Sequence, residues 1–225
     1  MEKYIESISD INLGRRIGGG SCSEVFVIEP GVLFKKFNED YTDLSDPINI
    51  EFLETIKTIS DIDYLPFIIR GKDIYRNKNE LFGYSMDEVC ALELEDISDD
   101  TMVSDLMDGF ERLKPSIRKL ADNFVRTEDI GGDNIMFNGD MYLLDLDLSL
   151  IDKRYIPDEL YEATRRYVFR SLFNKITGKY FIDNVSNDDY LAYMSCFMDN
   201  LSNSSNCHVK TIRDVQKAYK KTTIS

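Results

Sequence analysis

The chain has few of the residues that build metal centres: among its 225 residues there is one histidine, four cysteines and no tryptophan. The cysteines, Cys22, Cys90, Cys196 and Cys207, are scattered without a C-x-x-C pair, and His208 is the single imidazole. Structural zinc sites need cysteine and histidine ligands at short spacings, so this pattern argues against one. Scattered cysteines also predict free thiols in a reducing, cytoplasmic environment.

Long hydrophobic runs and basic blocks are missing as well. No apolar run approaches the roughly 20 residues that cross a bilayer, and the first residues do not resemble a secretion signal, so we expect no membrane partner. Lysine and arginine form no continuous stripe and the net charge is −14, which argues against nucleic acid as a partner. The length allows one large domain or two small lobes that share a cleft. Nothing in the sequence indicates an oligomeric state.

One run carries most of the chemical information. Asp129 begins it, Asn134 follows five positions later, and Asp145 stands beyond two short apolar stretches. Asn138 and Gly139 between those stretches predict a hairpin turn, because both residue types tolerate positive φ. Such a hairpin would bring an acid, an amide and a second acid together around a metal–phosphate. The alternative is a solvated turn on an acidic protein.

A glycine-rich turn, Gly18-Gly19-Gly20, lies between two strand-like runs and is followed by Ser21 and Ser23. Glycines free the backbone to approach a polyanion and to present N–H groups to it. The spacing is not that of a Walker A loop, and the turn leads into a strand rather than into the helix of a dinucleotide site. A plain hairpin turn is the alternative.

Two lysines interrupt the next apolar strand. Side chains alternate between the faces of a strand, so Lys35 and Lys36 point in opposite directions. If Leu33 faces a cleft, Lys35 does too and Lys36 is solvated. Alternatively, both lysines lie at the edge of a sheet.

A helix is predicted after Asp46 and Pro47, which suit its cap and its first turn. Its apolar stripe is predicted to consist of Ile48, Phe52, Ile56 and Ile59. Glu51 flanks this stripe and Glu54 lies nearly opposite it, so Glu51 is the better candidate to pair with a buried Lys35. An ordinary solvated glutamate is the alternative.

The chain changes character at an acidic, irregular stretch, residues 87–100. Before it, further strands are predicted at 66–75 and 81–86. After it, helices are predicted at 101–123, after Pro157, at 187–198 and at 209–219, with one hairpin between the first two. The fold class is therefore α+β, with a β-rich first part that contains one helix and a mainly α-helical second part.

These pieces stand in the chain order of the protein-kinase-like superfamily, which the chain resembles over about residues 14–150. Residues 17–25 are similar to its Gly-rich loop, with Ser23 at the third glycine. Leu33-Phe34-Lys35 resembles the strand that carries the ATP-anchoring lysine, and Glu51 is similar to the helix glutamate that pairs with it. The resemblance implies two lobes, an N-lobe at residues 1–89 and a C-lobe at residues 90–225.

The resemblance also implies an ATP site and a magnesium site. Residues 83–89 resemble the strand that enters the interlobe hinge. Asp129 matches the catalytic acid, and Asn134 and Asp145 match the Mg²⁺ ligands. Lys35 and Glu51 complete the catalytic set. Contacts to ATP are implied for Gly18, Gly19, Gly20, Ser21, Ser23, Val25, Leu33, Lys35, Met86, Asp87 and Val89.

Four departures from the family pattern concern the acceptor side. Thr127-Glu128 replaces the usual His-Arg, and Gly131 stands where a lysine is expected, in a loop more similar to that of aminoglycoside and choline kinases. Asp145-Leu146-Asp147 replaces Asp-Phe-Gly, so Asp147 either assists a metal or faces solvent. No Ala-Pro-Glu follows. These departures argue against a standard protein-substrate platform.

The resulting expectation is an ATP- and Mg²⁺-dependent phosphotransferase that acts on a hydroxyl of an unidentified small molecule or protein. The alternative is a pseudokinase that binds a nucleotide or serves as a scaffold. A third reading is nucleotidyl transfer, in which the same residues hold ATP in a flipped pose.

Overall fold

A computed structural model describes residues 1–128, 130–178 and 211–222. Its first part is a six-stranded sheet, whose strands are β1 (Glu2–Tyr4), β2 (Arg16–Gly19), β3 (Ser23–Glu29), β4 (Val32–Phe37), β5 (Ile74–Arg76) and β6 (Leu81–Asp87). The strand order in the sheet is β1-β5-β6-β4-β3-β2. All neighbouring strands are antiparallel except β1 and β5, which run parallel.

Helix α1 (Pro47–Asp61) begins where its capping residues predict. The Asp46 carboxylate accepts a hydrogen bond from the Ile48 N–H at 2.8 Å, and Pro47 occupies the first turn. The predicted apolar stripe was wrong at its start, because Ile48 is 71% exposed. The helix buries Asn49, Phe52, Leu53, Thr55, Ile56 and Ile59.

The second part is mainly helical, as the sequence predicts. Helix α2 (Val103–Asp122) and the hairpin of β9 (Ile135–Phe137) and β10 (Met141–Leu143) are confirmed. The predicted final helix is observed as α4 (Ile212–Thr222), whereas the helix predicted at 187–198 lies outside the described residues. The remaining elements are β7 (Leu92–Glu93), β8 (Val125–Arg126), β11 (Leu150–Ile151) and α3 (Pro157–Thr177).

The strand predicted at 66–75 was wrong over most of its length, because only residues 74–76 join the six-stranded sheet. The preceding segment bonds to the hairpin instead. The Leu143 N–H donates to the Phe67 carbonyl at 2.9 Å, and the Ile69 N–H donates to the Leu143 carbonyl at 2.8 Å. Backbone groups of an apolar segment need partners, and the hairpin supplies them here.

Two apolar clusters support the two parts. One joins α1 to the sheet through Phe37, Phe52, Leu53, Ile56, Ile74, Leu81 and Tyr84. The larger one surrounds α2, whose Leu106, Leu113, Ile117 and Leu120 are fully buried. The molecule therefore has a mixed α+β architecture in two parts, a β-rich first part and a mainly helical second part. The predicted lobe boundary at residues 89 and 90 stays a prediction.

Gly83 on β6 allows the close approach that positions the central strand β4. Its φ is +149°, and a Cβ built there would lie 2.0 Å from the Lys35 carbonyl oxygen. A larger residue would push β6 away from β4 or distort both strands. Gly83 therefore fixes the backbone at Lys35.

Among the described helices, none combines the length and the apolar character needed to cross a bilayer.

Candidate active site

Lys35 lies in the middle of the sheet and is 5% exposed. In the register of the sheet it stands beside Val25 on β3 and Tyr84 on β6. Lys36 is only partly buried, and its Nζ lies 3.6 Å from Glu24 Oε2. The predicted alternation is confirmed: Lys35 faces inward with Leu33, and Lys36 does not.

Two carboxylates hold the buried amine. Lys35 Nζ donates to Asp145 Oδ1 and, at 2.9 Å, to Asp147 Oδ1. These acids stand 110 and 112 positions after Lys35, so the ion pairs join β4 to the turn that follows the hairpin. The structure thus brings together Lys35 and Asp145, two residues of the predicted site, in a contact that the sequence did not predict. It adds Asp147, which is 3% exposed and does not face solvent.

The predicted ion pair between Lys35 and Glu51 is absent. Glu51 is exposed on α1, and Glu54 pairs with Lys57 at 3.0 Å. The buried face of α1 includes Asn49 and Leu53 in place of Ile48, and at about 100° per residue this moves its centre away from Glu51. The pairing was predicted from a face that the helix does not bury.

The three charged groups shift one another's proton affinities. Burial raises the pKa of Asp147 to about 7, an effect that the nearby Lys35 only partly offsets. Burial opposes ionisation of Asp145 as well, but its neighbours Asp147 and Lys35 outweigh this effect and leave the Asp145 pKa lowered. For Lys35, burial is outweighed by both carboxylates and the pKa is raised. One lysine thus faces two acids, and Asp147 retains a proton more readily.

Asp145 occupies a left-handed backbone conformation, with φ of 61° and ψ of 42°. Residues other than glycine adopt this conformation rarely, although aspartate does so more often than most, and such residues cluster at functional positions. The Asp145 side chain is 41% exposed, so it is open to solvent on one side while Lys35 holds the other.

Asn134 lies close to the same turn. It ends a short 3₁₀ turn, Gly132–Asn134, and its backbone carbonyl accepts from the Leu144 N–H at 3.1 Å. The carboxylate of Asp145 and the amide of Asn134 are oxygen donors of the kind that Mg²⁺ prefers. Within the described part of the chain, no group of three or more His, Cys, Asp or Glu side chains is arranged to hold a metal. Asp129 lies outside the described residues.

The glycine-rich turn separates into positions with different constraints. Gly19 has a φ of +152°, and a Cβ there would lie 2.8 Å from the Ser23 carbonyl oxygen, so the backbone itself requires glycine. At Gly18 and Gly20 a Cβ would meet nothing within 4 Å. The Gly20 N–H donates to the Ser23 carbonyl at 2.8 Å, which closes the turn. Two of the three glycines therefore border open space.

The predicted hinge follows β6. Met86 pairs in register with Leu33, and Asp87 forms an exposed ion pair with Lys72. The Val89 carbonyl accepts from the Ala91 N–H at 3.0 Å. Leu33 and Met86 thus lie side by side on neighbouring strands, where the resemblance implies that adenine would bind. Contact with a nucleotide stays a prediction for these residues.

Thr127 anchors the segment that precedes the predicted catalytic loop. Its hydroxyl lies 2.7 Å from that of Thr164 on α3, and both residues are buried. Close by, Arg126 Nη1 donates to Asp152 Oδ2 at 2.8 Å, and Arg154 binds both oxygens of Asp152. The hydrogen bonds from Arg154, with a smaller contribution from Arg126, lower the pKa of Asp152 to about 2.

A cleft of about 1210 Å³ opens between this loop and α3. Its walls carry side chains of both charges. The acids are Glu95, Glu128, Asp133 and Glu159, and the bases are Arg126, Arg170 and Lys175. Burial raises the pKa of neighbouring Glu93, and the charges of Asp96 and Asp133 add to the effect. A side chain at Gly132 would meet the Glu95 side chain at 2.8 Å, so this glycine keeps the cleft wall compact.

Comparison with known proteins supports the fold and leaves the family open. No family model matches the chain, and no curated protein sequence matches it either. Among solved structures, the kinase domain of Mycobacterium tuberculosis PknI is similar, with a TM-score of 0.59 over 93% of this chain and 94% of that one. The two are 13% identical in sequence. The chain therefore has a protein-kinase-like fold.

Proposed function

We propose that the protein is an ATP- and Mg²⁺-dependent phosphotransferase that acts on an alcohol group. The observation that carries the proposal is the contact between Lys35 and Asp145, which joins the central strand of the sheet to the turn after the hairpin. A buried amine beside a partly exposed carboxylate suits a site in which lysine binds phosphate oxygens and the acid binds a cation.

In this proposal, the backbone at Gly18 and Gly20 lies over the phosphates, and Lys35 binds the α and β oxygens. Asn134 and Asp145 would hold Mg²⁺, which neutralises charge on the phosphates when bound. Asp129, assigned from the sequence alone, accepts the proton of the acceptor hydroxyl. The acceptor oxygen forms a bond to the γ-phosphorus, the bond from that phosphorus to the β–γ bridging oxygen breaks, and ADP leaves.

The cleft beside α3 is the proposed entry for the acceptor, because it borders the loop that contains Asp129. The cleft is lined by side chains of both charges, the acids Glu95, Glu128, Asp133 and Glu159 and the bases Arg126, Arg170 and Lys175, so its lining does not select the charge of the acceptor. The overall charge of −14 favours a neutral or cationic acceptor, and a small molecule and a basic segment of a protein both meet that condition.

The test is ATP turnover with Mg²⁺ for the wild type, Asp129→Asn and Asp145→Asn. Removing the base or a metal ligand should lower kcat by at least a hundredfold, because positioning and charge neutralisation supply most of the catalysis. Asp140→Asn is the matched control: it lies in the hairpin turn, pairs with Arg112, and should leave turnover unchanged. Equal rates in all four proteins would refute the mechanism.

A pseudokinase would give a different set of results. Thermal stabilisation by ATP without any dependence on Mg²⁺, together with no turnover, would favour a binding protein. Intact-mass measurement after incubation with ATP identifies the transferred group, since a phosphoryl group and a nucleotidyl group differ in mass. A panel of hydroxylated metabolites, with cationic and anionic members, then tests the acceptor.

A further inference from the structure

Asp147 is a buried carboxylate to which the proposed reaction gives no task. It lies in the middle of the 3₁₀ turn Leu146–Leu148, which begins directly after Asp145. Its Oδ1 is 2.9 Å from Lys35 Nζ, and its Oδ2 has no hydrogen-bond partner. A buried acid of this kind is costly to keep, so its contact with a buried lysine calls for an explanation.

Helix α1 places no carboxylate beside Lys35 that could take the place of Asp147. The face of the helix that packs on the sheet includes Phe52 and Ile56. Phe52 packs on Phe37, which lies two residues after Lys35 on the same face of β4. Ile56 and Ile59 also border the small space beside Asp147. Arg70 borders that space too, but its Nη1 donates hydrogen bonds to the Ile59 and Ser60 carbonyls at the end of α1.

The two acids on Lys35 differ in access to solvent. The Asp145 side chain is 41% exposed, whereas the Asp147 side chain is 2% exposed. An incoming cation can therefore reach Asp145 and draw it from Lys35, but Asp147 stays enclosed. After that exchange Lys35 would still keep one carboxylate.

We propose that Asp147 is the positioning residue for Lys35, in the role that the resemblance assigns to Glu51. Its importance for phosphate binding rests on the proposed function, but the ion pair itself can be tested without turnover. Because Asp147 stands only two residues after Asp145 in the chain, Lys35 and the metal ligand are fixed by the same turn. A shift of α1 would then leave the pair intact.

Two double-mutant cycles on urea unfolding test the pair. One combines Lys35→Met with Asp147→Asn, and the matched cycle combines Lys35→Met with Glu51→Gln. The effects on the folding equilibrium constant should be non-additive by at least tenfold in the first cycle and additive in the second. Additivity at Asp147, or coupling at Glu51 of equal or greater size, overturns the proposal.

If Asp147→Asn does not fold, the variant Lys35→Met/Asp147→Leu replaces it. Removing both charges leaves no unpaired buried ion, so the proposal expects this protein to fold and to exceed Lys35→Met in stability. A double variant less stable than Lys35→Met counts against the pair.

Kinetics give a second readout that a purely structural role would not change. Asp147→Asn should raise the KM for ATP about tenfold and leave the acceptor KM unchanged, Asp147→Glu should restore part of the loss, and Glu51→Gln should match the wild type. An unchanged KM for ATP in Asp147→Asn overturns the positioning role. A wild type without any turnover counts against the proposed function instead, since the unfolding cycles do not depend on it.

Discussion

The hydroxyl of Thr127 lies 2.7 Å from the hydroxyl of Thr164, and this contact ties the segment before the predicted catalytic loop to α3. Thr127→Val should destabilise the protein by about 1–2 kcal/mol, because it leaves a buried hydroxyl on Thr164 without its partner. The variant Thr127→Val/Thr164→Val removes both hydroxyls and should recover most of the loss. Urea unfolding measures both effects, and additive losses would show that the two hydroxyls do not interact.

Gly83 should be the glycine of the sheet least tolerant of substitution. Gly83→Ala places a methyl group 2.0 Å from the Lys35 carbonyl at a φ of +149°, and we expect a loss of about 3 kcal/mol or more. Gly31→Ala is the matched control, since its φ of +78° brings similar strain but a Cβ there meets nothing within 4 Å. Equal losses for the two variants would show that the contact with β4 is unimportant.

Substitutions in the glycine-rich turn can distinguish an effect on protein stability from an effect on ATP binding. Gly20→Ala should change the free energy of unfolding by less than about 0.5 kcal/mol, because a Cβ there meets open space. If the turn covers phosphates, the same change should raise the KM for ATP several-fold. Gly19→Ala should instead lower stability by about 1–2 kcal/mol, because of its positive φ and the nearby Ser23 carbonyl. A Gly20→Ala protein with wild-type KM would place the turn away from the nucleotide.

Asp152 gives a pH dependence of stability with a definite sign. Its pKa is lowered from 3.8 to about 2 in the folded protein, so its ionised form stabilises the fold above about pH 4. That contribution is lost as pH falls from about 4 to about 2. The difference in unfolding free energy between wild type and Asp152→Asn should therefore be constant near neutral pH and shrink below pH 4.

Asp158→Asn is the control for this titration. Asp158 pairs with Arg118, but its side chain is 78% exposed, so its loss should have little effect on stability. A difference for Asp152→Asn that grows as pH falls would contradict the assigned direction of the shift.

Local signals in the sequence predicted those parts of the fold that local chemistry decides. Asp46 and Pro47 predicted the start of α1, and Asn138-Gly139 predicted the hairpin of β9 and β10. The alternation along β4 placed Lys35 inward, because a strand has only two faces.

Tertiary packing decided the remainder. A helix can rotate against a sheet, so the partner of Lys35 could not be derived from the position of Glu51 in α1 alone. The spacing of Asp145 and Asp147 was visible, but the turn that directs both toward one lysine depends on the left-handed backbone at Asp145. Likewise, the apolar segment at 66–73 was predicted as part of a strand from its local pattern alone. Its actual backbone partner, Leu143, is more than 70 positions away in the chain, so no local pattern could reveal it.

The strand β1 has a practical consequence for handling the protein. Residues 2–4 cover the outer side of β5, and the flanking Met1 carbonyl and Ile5 N–H also bond to β5. Cutting away these first residues would move the edge of the sheet from β1 to β5 and leave the Ile74 N–H and the Arg76 carbonyl without their present partners. Backbone groups of a sheet that lose their partners can pair with a strand of another molecule, so the shortened chain should self-associate more than the chain that keeps β1.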